Sequence, residues 1–240
     1  MKRFIAQTGL GDAVFALPLA MAHEAEKIEA EFYTGWPELL TGLEYVKAFK
    51  VPPWDSEENR KFEGARLKYD RYRGSYFDSY YTEHDMKTPL ESAQEMAQER
   101  LLSFADAFDI PRTPYVVAGA PRYPERHKAK AVAGDEGSFL HYESEIINAK
   151  REGYFVANVG MDEIYTAPLM GDIDFTDRLT REQLIYLVSN AKYVISQIGF
   201  LTALAGCLGT YVKYIQGAGE PNERFLRHVE GVTWKKNLRR

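Results

Sequence analysis

The sequence predicts an α/β protein with two successive units, each built from a parallel sheet covered by helices. Three observations predict this class: short apolar strands alternate with amphipathic helices, the connections between them are short, and the alternation stops at a proline-bearing segment and then begins again. The 240 residues are 45% hydrophobic and 27% charged, as in proteins that form a packed core. A disordered or low-complexity chain is therefore excluded.

The first unit is predicted to span residues 1–113. Apolar runs indicate its strands, at residues 2–7, 28–33 and 45–51. Apolar residues at helical spacing indicate its helices, at residues 13–27, 36–40 and 89–108. Because a strand, a helix and a second strand follow each other closely, we expect the strands to pair in parallel.

The second unit is predicted to span residues 114–240. The segment IPRTP, residues 110–114, contains two prolines and marks the boundary. The pattern then restarts, with strands predicted at residues 115–118, 154–159, 192–196 and 211–215, and helices at residues 138–151, 180–190 and 199–208. Thr180 is predicted to cap the helix that follows it, although Glu182 lies one position short of capping-box spacing.

Composition limits the class of protein. The net charge of −5 argues against a sequence-blind nucleic-acid binder, which needs Lys and Arg to neutralise phosphates. The single cysteine, Cys207, excludes an internal disulfide and zinc sites built on several cysteines, so we expect a cytoplasmic protein. No apolar run reaches the ~18 residues that indicate a membrane span. Gly9, Gly11 and Pro18 interrupt the N-terminal apolar stretch, which we interpret as folded structure and not a signal peptide.

The turn Thr8-Gly9-Leu10-Gly11-Asp12 joins a predicted strand to a predicted helix. Gly9 and Gly11 would let a ligand approach the backbone closely, and a helix start attracts anions. Asp12 would lie at the carboxyl edge of the sheet, where α/β folds bind ligands. An ordinary tight turn, with Asp12 stabilised by the helix dipole, fits the same spacing. The residues alone leave both interpretations open.

A second strand-to-helix turn lies within residues 190–209, where a polar turn with Gly199 precedes a helix of small residues. One interpretation is a phosphate-binding helix start near residues 197–202. The other is close packing of the helix on the sheet through its small residues, which are Ala203, Ala205, Gly206 and Gly209. The spacing supports the two interpretations equally.

Together the two turns carry a resemblance to a known family. Residues 8–20, TGLGDAVFALPLA, resemble the N-terminal signature of the heptosyltransferase-like glycosyltransferases of glycosyltransferase family nine. Residues 32–49 and 178–221 are similar to that family's next stretch and to its donor-site region. The resemblance implies a GT-B-like fold, in which two Rossmann-like domains face each other across a cleft. The N-terminal domain would be the acceptor side, and the C-terminal domain would bind a nucleotide sugar.

The resemblance also implies an activity. A hexose or heptose would pass from a nucleoside-diphosphate sugar to the hydroxyl of a glycan or other acceptor, with inversion and with no metal or further cofactor. Asp12 falls on the family's catalytic-base position, and a carboxylate within hydrogen-bond reach of the acceptor hydroxyl suits this reaction. Gly199 matches the glycine that meets the donor diphosphate, and Glu163 falls near an acid that binds the nucleoside.

A cation for the diphosphate is implied in the loop after the first strand of the second unit, at Arg122, Arg126 or Lys128. Gln197 and Thr202 occupy donor-site positions where the family usually has an Asp and a His. These departures leave a non-catalytic nucleotide-sugar binding protein as one alternative. Transfer to a hydroxylated base of a nucleic acid is another, which the basic loop and the basic C-terminal tail favour and the acidic total opposes.

Three further segments carry weaker signals. Asp172-Ile173-Asp174 resembles a metal-binding pair of carboxylates, although motifs this short are common by chance. The tyrosine-rich segment, residues 69–81, predicts either a stacking surface for sugars or bases or packing against the helix at residues 89–108, and we favour packing. The basic run of residues 234–240 predicts a solvated end or a segment that docks on the first unit.

Overall fold

The computed structural model describes residues 1–6, 9–52, 56–57, 67, 80–81, 84–119, 135–160, 170–197, 199–215 and 233–235, with the backbone alone at 135–140 and 233–235. These residues form two compact units that divide after Ser103. Each unit contains a parallel sheet with helices, so the predicted α/β class is confirmed. The predicted roles of residues 1–113 as an acceptor-side domain and 114–240 as a nucleotide-sugar domain stay predictions.

The first unit contains a parallel sheet of three strands in the order β1-β2-β3. Its elements are β1 (Lys2–Ile5), α1 (Leu10–Ala25), β2 (Ala30–Thr34), a 3-10 helix (Pro37–Leu40), β3 (Val46–Lys50) and α2 (Leu90–Leu102). The N–H of Leu67 donates to the carbonyl of Ile5 at 2.9 Å. Leu67 therefore lies beside β1, on the side away from β2.

The helix α1 is apolar on almost every side, which is typical of a helix enclosed by other elements. It packs against α2 and against β2, and Pro18 lies inside it without ending it. The helix α2 contributes a narrow buried stripe, formed by Ala93, Ala97 and Leu101 at intervals of four residues. This packing fixes the start of α1 at the end of β1.

The predicted helix at residues 89–108 is too long, because α2 ends at Leu102. Beyond it, the N–H of Asp106 donates to the carbonyl of Glu182 in the second unit, at 3.1 Å. The Phe108 ring packs edge-on against Phe175 and Tyr186, with ring centroids 5.6 and 6.0 Å away. Phe108, at the end of the predicted helix, is therefore half-buried by ring contacts within the second unit and does not extend α2.

The second unit contains a parallel sheet of six strands in the order β6-β5-β4-β7-β8-β9. Its elements are β4 (Tyr115–Gly119), α3 (Asp135–Arg151), β5 (Phe155–Val159), β6 (Ile173–Asp174), α4 (Arg181–Ser189), β7 (Val194–Ser196), α5 (Phe200–Cys207), β8 (Val212–Ile215) and β9 (Thr233–Lys235). This is the Rossmann strand order. The chain adds β5 and β6 on one side of β4, and then adds β7, β8 and β9 on the other side, so the order of strands reverses between β4 and β7. Ligands of open α/β sheets bind at the carboxyl ends of the strands beside such a reversal.

The structure places Trp234 and Lys235, the first two residues of the C-terminal basic run, in a strand, and both the solvated end and the docking on the first unit stay predictions. Both lie in β9, which pairs with β8 in the register Tyr214 with Trp234 and Ile215 with Lys235. The backbone ladder is responsible, since a strand needs no apolar side chains to donate and accept along an open sheet edge. Residues 236–240 lie outside the described residues.

The core of the second unit is apolar on both faces of its sheet, as a parallel sheet requires. Tyr142, Ile146 and Ala149 of α3 are buried against the strands. Cys207 is buried in α5, and burial raises the pKa of its thiol to about 12. None of the described helices has the length and hydropathy that crossing a lipid bilayer requires.

A capping box begins α4. The Oγ1 of Thr180 accepts the N–H of Gln183 at 3.2 Å, and the Oε1 of Gln183 accepts the N–H of Thr180 at 3.1 Å. Thr180 is thus the cap, as the sequence predicts, and the partner at the correct spacing is Gln183 and not Glu182. The box satisfies two backbone donors that the helix ladder leaves unpaired.

Replacing Thr180 with Ala is expected to lower the free energy of unfolding by about 1 kcal/mol, because the Gln183 N–H loses its acceptor. Urea unfolding measures the change. Gln183→Glu, which keeps an acceptor for the Thr180 N–H, is the matched control and should stay within about 0.5 kcal/mol of the unaltered protein. Equal losses in the two variants would contradict the capping role of Thr180.

His23 is a buried histidine of α1 with a relative exposure of 0%. Its Nδ1 donates to the carbonyl of Ile28 at 3.2 Å, and the rings of Phe4 and Phe32 lie 5.1 and 6.1 Å from its ring. No described residue forms a hydrogen bond with its Nε2. The pKa of His23 lies below the ordinary value of 6.5, and burial is the main cause of this lowering.

Stability is therefore expected to fall as the pH drops below 6.5, because the unfolded chain binds a proton that the folded chain excludes from His23. His23→Asn keeps a donor toward Ile28 and does not titrate, so its free energy of unfolding should depend less on pH. Urea unfolding between pH 7 and about pH 5 measures both slopes. A slope in the variant equal to that of the unaltered protein would contradict the assignment.

Candidate active site

The carboxyl edge of the first sheet presents the start of α1. Gly9 is the N-cap residue, and the helix begins at Leu10. The predicted turn of residues 8–12 is therefore shorter than expected, because Gly11 and Asp12 already belong to the first helical turn; Thr8 lies outside the described residues. Asp12 occupies the third helical position, where an acidic side chain can reach back to the N-cap.

Two neutral donors hold the Asp12 carboxylate. The hydroxyl of Tyr80 donates to Oδ1 at 2.9 Å, and the N–H of Gly9 also donates to the carboxylate. A Cβ at Gly9 would lie 2.9 Å from Oδ2, so glycine leaves room for this carboxylate to fold back. The carboxylate is thus fixed at both of its ends.

Burial raises the pKa of Asp12 above its ordinary value of 3.8, and the hydrogen bonds from Tyr80 and Gly9 oppose this rise without cancelling it. No charged side chain of the described residues is among the causes of the shift. A half-buried carboxylate without a counter-cation binds a proton more readily than an aspartate in water. Such a group is suited to general-base catalysis.

The carboxyl edge of the second sheet presents the start of α5, next to the reversal of strand order. Gly199 is the N-cap residue and no side chain caps this helix start. The helix ladder begins with the N–H of Ala203, which donates to the carbonyl of Gly199 at 3.0 Å. A Cβ at Gly199 would meet no atom of the described residues within 4 Å. Open space therefore borders the backbone where a helix start attracts anions.

Hydrogen bonds with the hydroxyls of Tyr142, Ser196 and Thr202 hold the turn between β7 and α5. The N–H of Gln197 donates to the hydroxyl of Tyr142 at 2.6 Å, and Tyr142 is only 1% exposed. The carbonyl of Gln197 accepts the hydroxyls of Ser196 and Thr202, and Thr202 is fully buried. Thr202 thus stabilises the turn, and the Gln197 side chain is half-buried.

Gly119 ends β4 beside this turn. A Cβ there would lie 2.5 Å from Cδ2 of Leu201 and 3.3 Å from Oγ of Ser196. A side chain at position 119 would therefore displace the end of the Leu201 side chain in the first turn of α5. Gly119 is not among the residues selected from the sequence, although a glycine at the end of a buried strand is a recognisable sign of close approach.

The structure brings together the candidate residues Gly9, Gly11 and Asp12 in the first unit, and Gln197, Gly199 and Thr202 in the second. The remaining candidates lie outside the described residues; they are Arg122, Arg126, Lys128 and Glu163. Their predicted roles stay predictions.

The acidic pair at residues 172 and 174 has structural partners. The Oδ2 of Asp172 accepts the N–H of Val156 at 2.8 Å, and its Oδ1 lies 3.1 Å from the Nζ of Lys150. The Oδ1 of Asp174 accepts the N–H of Thr176 at 2.9 Å. The two carboxylates therefore bind different backbone segments. Within the described ranges, no three His, Cys, Asp or Glu side chains form a group that could hold a metal ion.

The contacts of two tyrosines with candidate site residues are not predictable from the sequence. Tyr80 belongs to the tyrosine-rich segment, whose residues 69–79 lie outside the described residues, so the predicted packing of that segment against residues 89–108 stays a prediction. Tyr80 itself is buried against Phe15 of α1, and its contact with Asp12 joins residues 68 positions apart. Tyr142 supports the Gln197 turn from α3, at a distance of 55 positions. An apolar pattern can predict that such a ring is buried, but it contains no signal for the partner of the hydroxyl.

No family model and no curated protein sequence matches this chain. The fold is shared with solved structures. A glycosyl transferase family 9 protein from Veillonella parvula has 11% sequence identity and a TM-score of 0.52, and the match covers 95% of this chain and 83% of the other. The E. coli heptosyltransferase WaaC with ADP has 13% identity and a TM-score of 0.52, with coverage of 97% and 91%.

The iron-containing dodecameric glycosyltransferase TibC from enterotoxigenic E. coli has 16% identity and a TM-score of 0.55. That match covers 93% of this chain but only 61% of TibC, so this chain spans less than two thirds of the TibC length. The predicted two-unit α/β architecture is thus confirmed by similarity to known glycosyltransferase structures. At these identities, the similarity establishes the fold alone.

Gly199→Ala is expected to change the free energy of unfolding by no more than about 0.5 kcal/mol, because the added Cβ enters open space. Gly119→Ala is the matched comparison, and it should lose about 1–3 kcal/mol because the Cβ overlaps Leu201. Urea unfolding of both variants measures the difference. A loss at Gly199 as large as that at Gly119 would show that the space beside Gly199 is filled.

Proposed function

We propose that this protein is a glycosyltransferase that moves a sugar from a nucleoside-diphosphate donor to an acceptor hydroxyl. The observation that carries the proposal is Asp12, a half-buried carboxylate at the carboxyl edge of a parallel sheet, oriented by two neutral donors and with a raised pKa. An aspartate that only stabilised a helix start could lie on the surface, and it would need neither the hydrogen bond from buried Tyr80 nor a half-buried carboxylate. The shared fold supports the same assignment.

In the proposed reaction, Asp12 accepts the proton of the acceptor hydroxyl as the hydroxyl oxygen attacks the anomeric carbon of the donor. The bond from that carbon to the diphosphate oxygen breaks, and the nucleoside diphosphate leaves with the bonding electron pair. Attack opposite to the leaving group inverts the configuration at the anomeric carbon. The raised pKa of Asp12 favours this role, since a stronger base takes up the proton more readily in the transition state.

The second unit is proposed to bind the donor. Its strand reversal between β4 and β7, the uncapped start of α5 and the open space at Gly199 support a diphosphate at this edge. One TibC structure is described as a complex with ADP-D-beta-D-heptose, and one WaaC structure contains ADP. By analogy with these neighbours, an adenosine-diphosphate sugar is the first donor to test.

The remaining roles are also proposals. Arg122, Arg126 or Lys128 would neutralise the leaving diphosphate, and Glu163 would bind the nucleoside. Transfer without a metal is proposed as well, and it needs its own test because the neighbour TibC is described as iron-containing. Turnover that is unchanged in excess EDTA would support a metal-independent reaction, and turnover that is lost and restored by a divalent metal would refute it.

A non-catalytic nucleotide-sugar binding protein is the second candidate. It is favoured by the turn before α5, where the family resemblance implies an Asp and a His but this chain has Gln197 and Thr202. Thr202 is fully buried and its hydroxyl donates to the Gln197 carbonyl, so its observed contact stabilises the turn. Binding of nucleoside diphosphates without turnover for any acceptor would favour this candidate.

Asp12→Asn is expected to lower turnover at least about 100-fold, because the amide cannot accept a proton. Release of nucleoside diphosphate from a panel of nucleotide sugars measures turnover, and the thermal shift caused by ADP measures binding. ADP binding should persist in Asp12→Asn and weaken in Gly199→Ala, whose Cβ would enter the proposed diphosphate site. Asp85→Asn, at an exposed carboxylate of the same unit, is the matched control. Unchanged turnover in Asp12→Asn would remove Asp12 from the mechanism.

A further inference from the structure

Tyr80 is buried inside the first unit, with a relative exposure of 1%. Its ring packs edge-on against Phe15 of α1, with the centroids 6.4 Å apart. Its hydroxyl donates to Oδ1 of Asp12 at 2.9 Å. A phenol fixed by its ring is a rigid donor, because packing of the ring leaves the hydroxyl little freedom to move away.

The other end of the Asp12 carboxylate is also held, so the hydrogen bond to Oδ1 fixes the orientation of the whole group. The Gly9 N–H donates to the carboxylate from the N-cap of α1, and the Gly9 backbone lies close to Oδ2. Two donors from two different chain segments prevent rotation of the carboxylate about the Cβ–Cγ bond. A base with a fixed orientation can accept a proton along one direction, which is the geometric requirement for general-base catalysis.

We propose that Tyr80 is a positioning residue, whose hydroxyl holds the Asp12 carboxylate in the orientation in which it accepts the acceptor proton; this inference rests on the proposed function. Tyr80 itself does not touch the substrate. The contact also affects proton affinity, because a hydrogen bond to the charged form stabilises the carboxylate and lowers the pKa that burial raises.

Charged groups on the neighbouring elements do not share this role. The helix α1 packs against α2, β2 and β3. Apart from Asp12 itself, the ionisable side chains of these four elements are His23, Glu24, Glu31, Tyr33, Lys47, Lys50, Glu91, Glu95, Glu99 and Arg100. None of them is among the causes of the Asp12 shift, which within the described part of the chain are burial, the Tyr80 hydroxyl and the Gly9 N–H, in that order.

The chain offers a matched control in the next residue. Tyr81 is also buried, and its hydroxyl donates to the carbonyl of Thr88 instead of to Asp12. Tyr81→Phe therefore removes a buried tyrosine hydroxyl from the same helical turn and leaves Asp12 with both donors. A purely structural effect of losing such a hydroxyl should be similar in the two variants.

The first experiment follows the Asp12 carboxyl by NMR in protein labelled with ¹³C at the aspartate side chains, with Asp12→Asn to assign its signal. Tyr80→Phe is expected to raise the pKa of Asp12, and Tyr81→Phe to leave it unchanged. Difluorotyrosine at position 80, a stronger donor of the same shape, should lower it and serves if Tyr80→Phe does not fold. No shift in either Tyr80 variant, or an equal shift in Tyr81→Phe, would overturn the inference.

The second experiment measures turnover against pH with the donor that the nucleotide-sugar panel identifies. Tyr80→Phe is expected to lower kcat by about 10- to 100-fold, to leave the KM for the donor unchanged, and to move the acid limb of the profile to higher pH. If Tyr80→Phe shifts the pKa of Asp12 by NMR but does not shift the dependence of turnover on pH, the contact between Tyr80 and Asp12 is supported and Asp12 is refuted as the catalytic base. Absence of turnover in the unaltered protein would refute the proposed function, and the NMR result would then decide the role of Tyr80 alone.

Discussion

Parallel pairing of the strands is the constraint on which the candidate site depends. In a parallel sheet every strand ends at the same edge, so each following helix begins there and presents unpaired N–H groups. In this chain the rule places the start of α1 at the edge of the first sheet and the start of α5 at the edge of the second. The two turns differ in chemistry, because one contains a carboxylate and the other has a glycine beside which the described residues leave open space.

The chemistry of Asp12 depends on a balance between burial and hydrogen bonding. Burial without donors would favour the protonated acid, which cannot act as a base, whereas an adjacent cation would make the carboxylate too weak a base. Neutral donors from Tyr80 and Gly9 give an intermediate result, in which burial raises the pKa of Asp12 and the two hydrogen bonds offset part of that rise. The tyrosine that provides one donor also fills the space beside Phe15, so one side chain serves both packing and orientation.

The elements that were predictable from the sequence are those specified by local patterns. The strands and helices around both turns follow from apolar periodicity, and Thr180 follows from cap preference. The features that the sequence does not predict share one cause, which is a distant partner. Phe108 continues the apolar pattern of α2 but packs on Phe175, Trp234 lies in a basic run but pairs with Tyr214, and the Tyr80 hydroxyl reaches Asp12 across 68 positions. Local propensity contains no information about such contacts.

The position of β9 has a practical consequence for truncated versions of the protein. It is the outermost strand of the described second sheet, and its backbone pairs with β8. A fragment that stops before Thr233 would leave the N–H and carbonyl groups along one side of β8 without partners, and such an edge recruits strands from other molecules. Shortened forms made for crystallisation should therefore retain residues through Lys235, or self-association through β8 will limit their use.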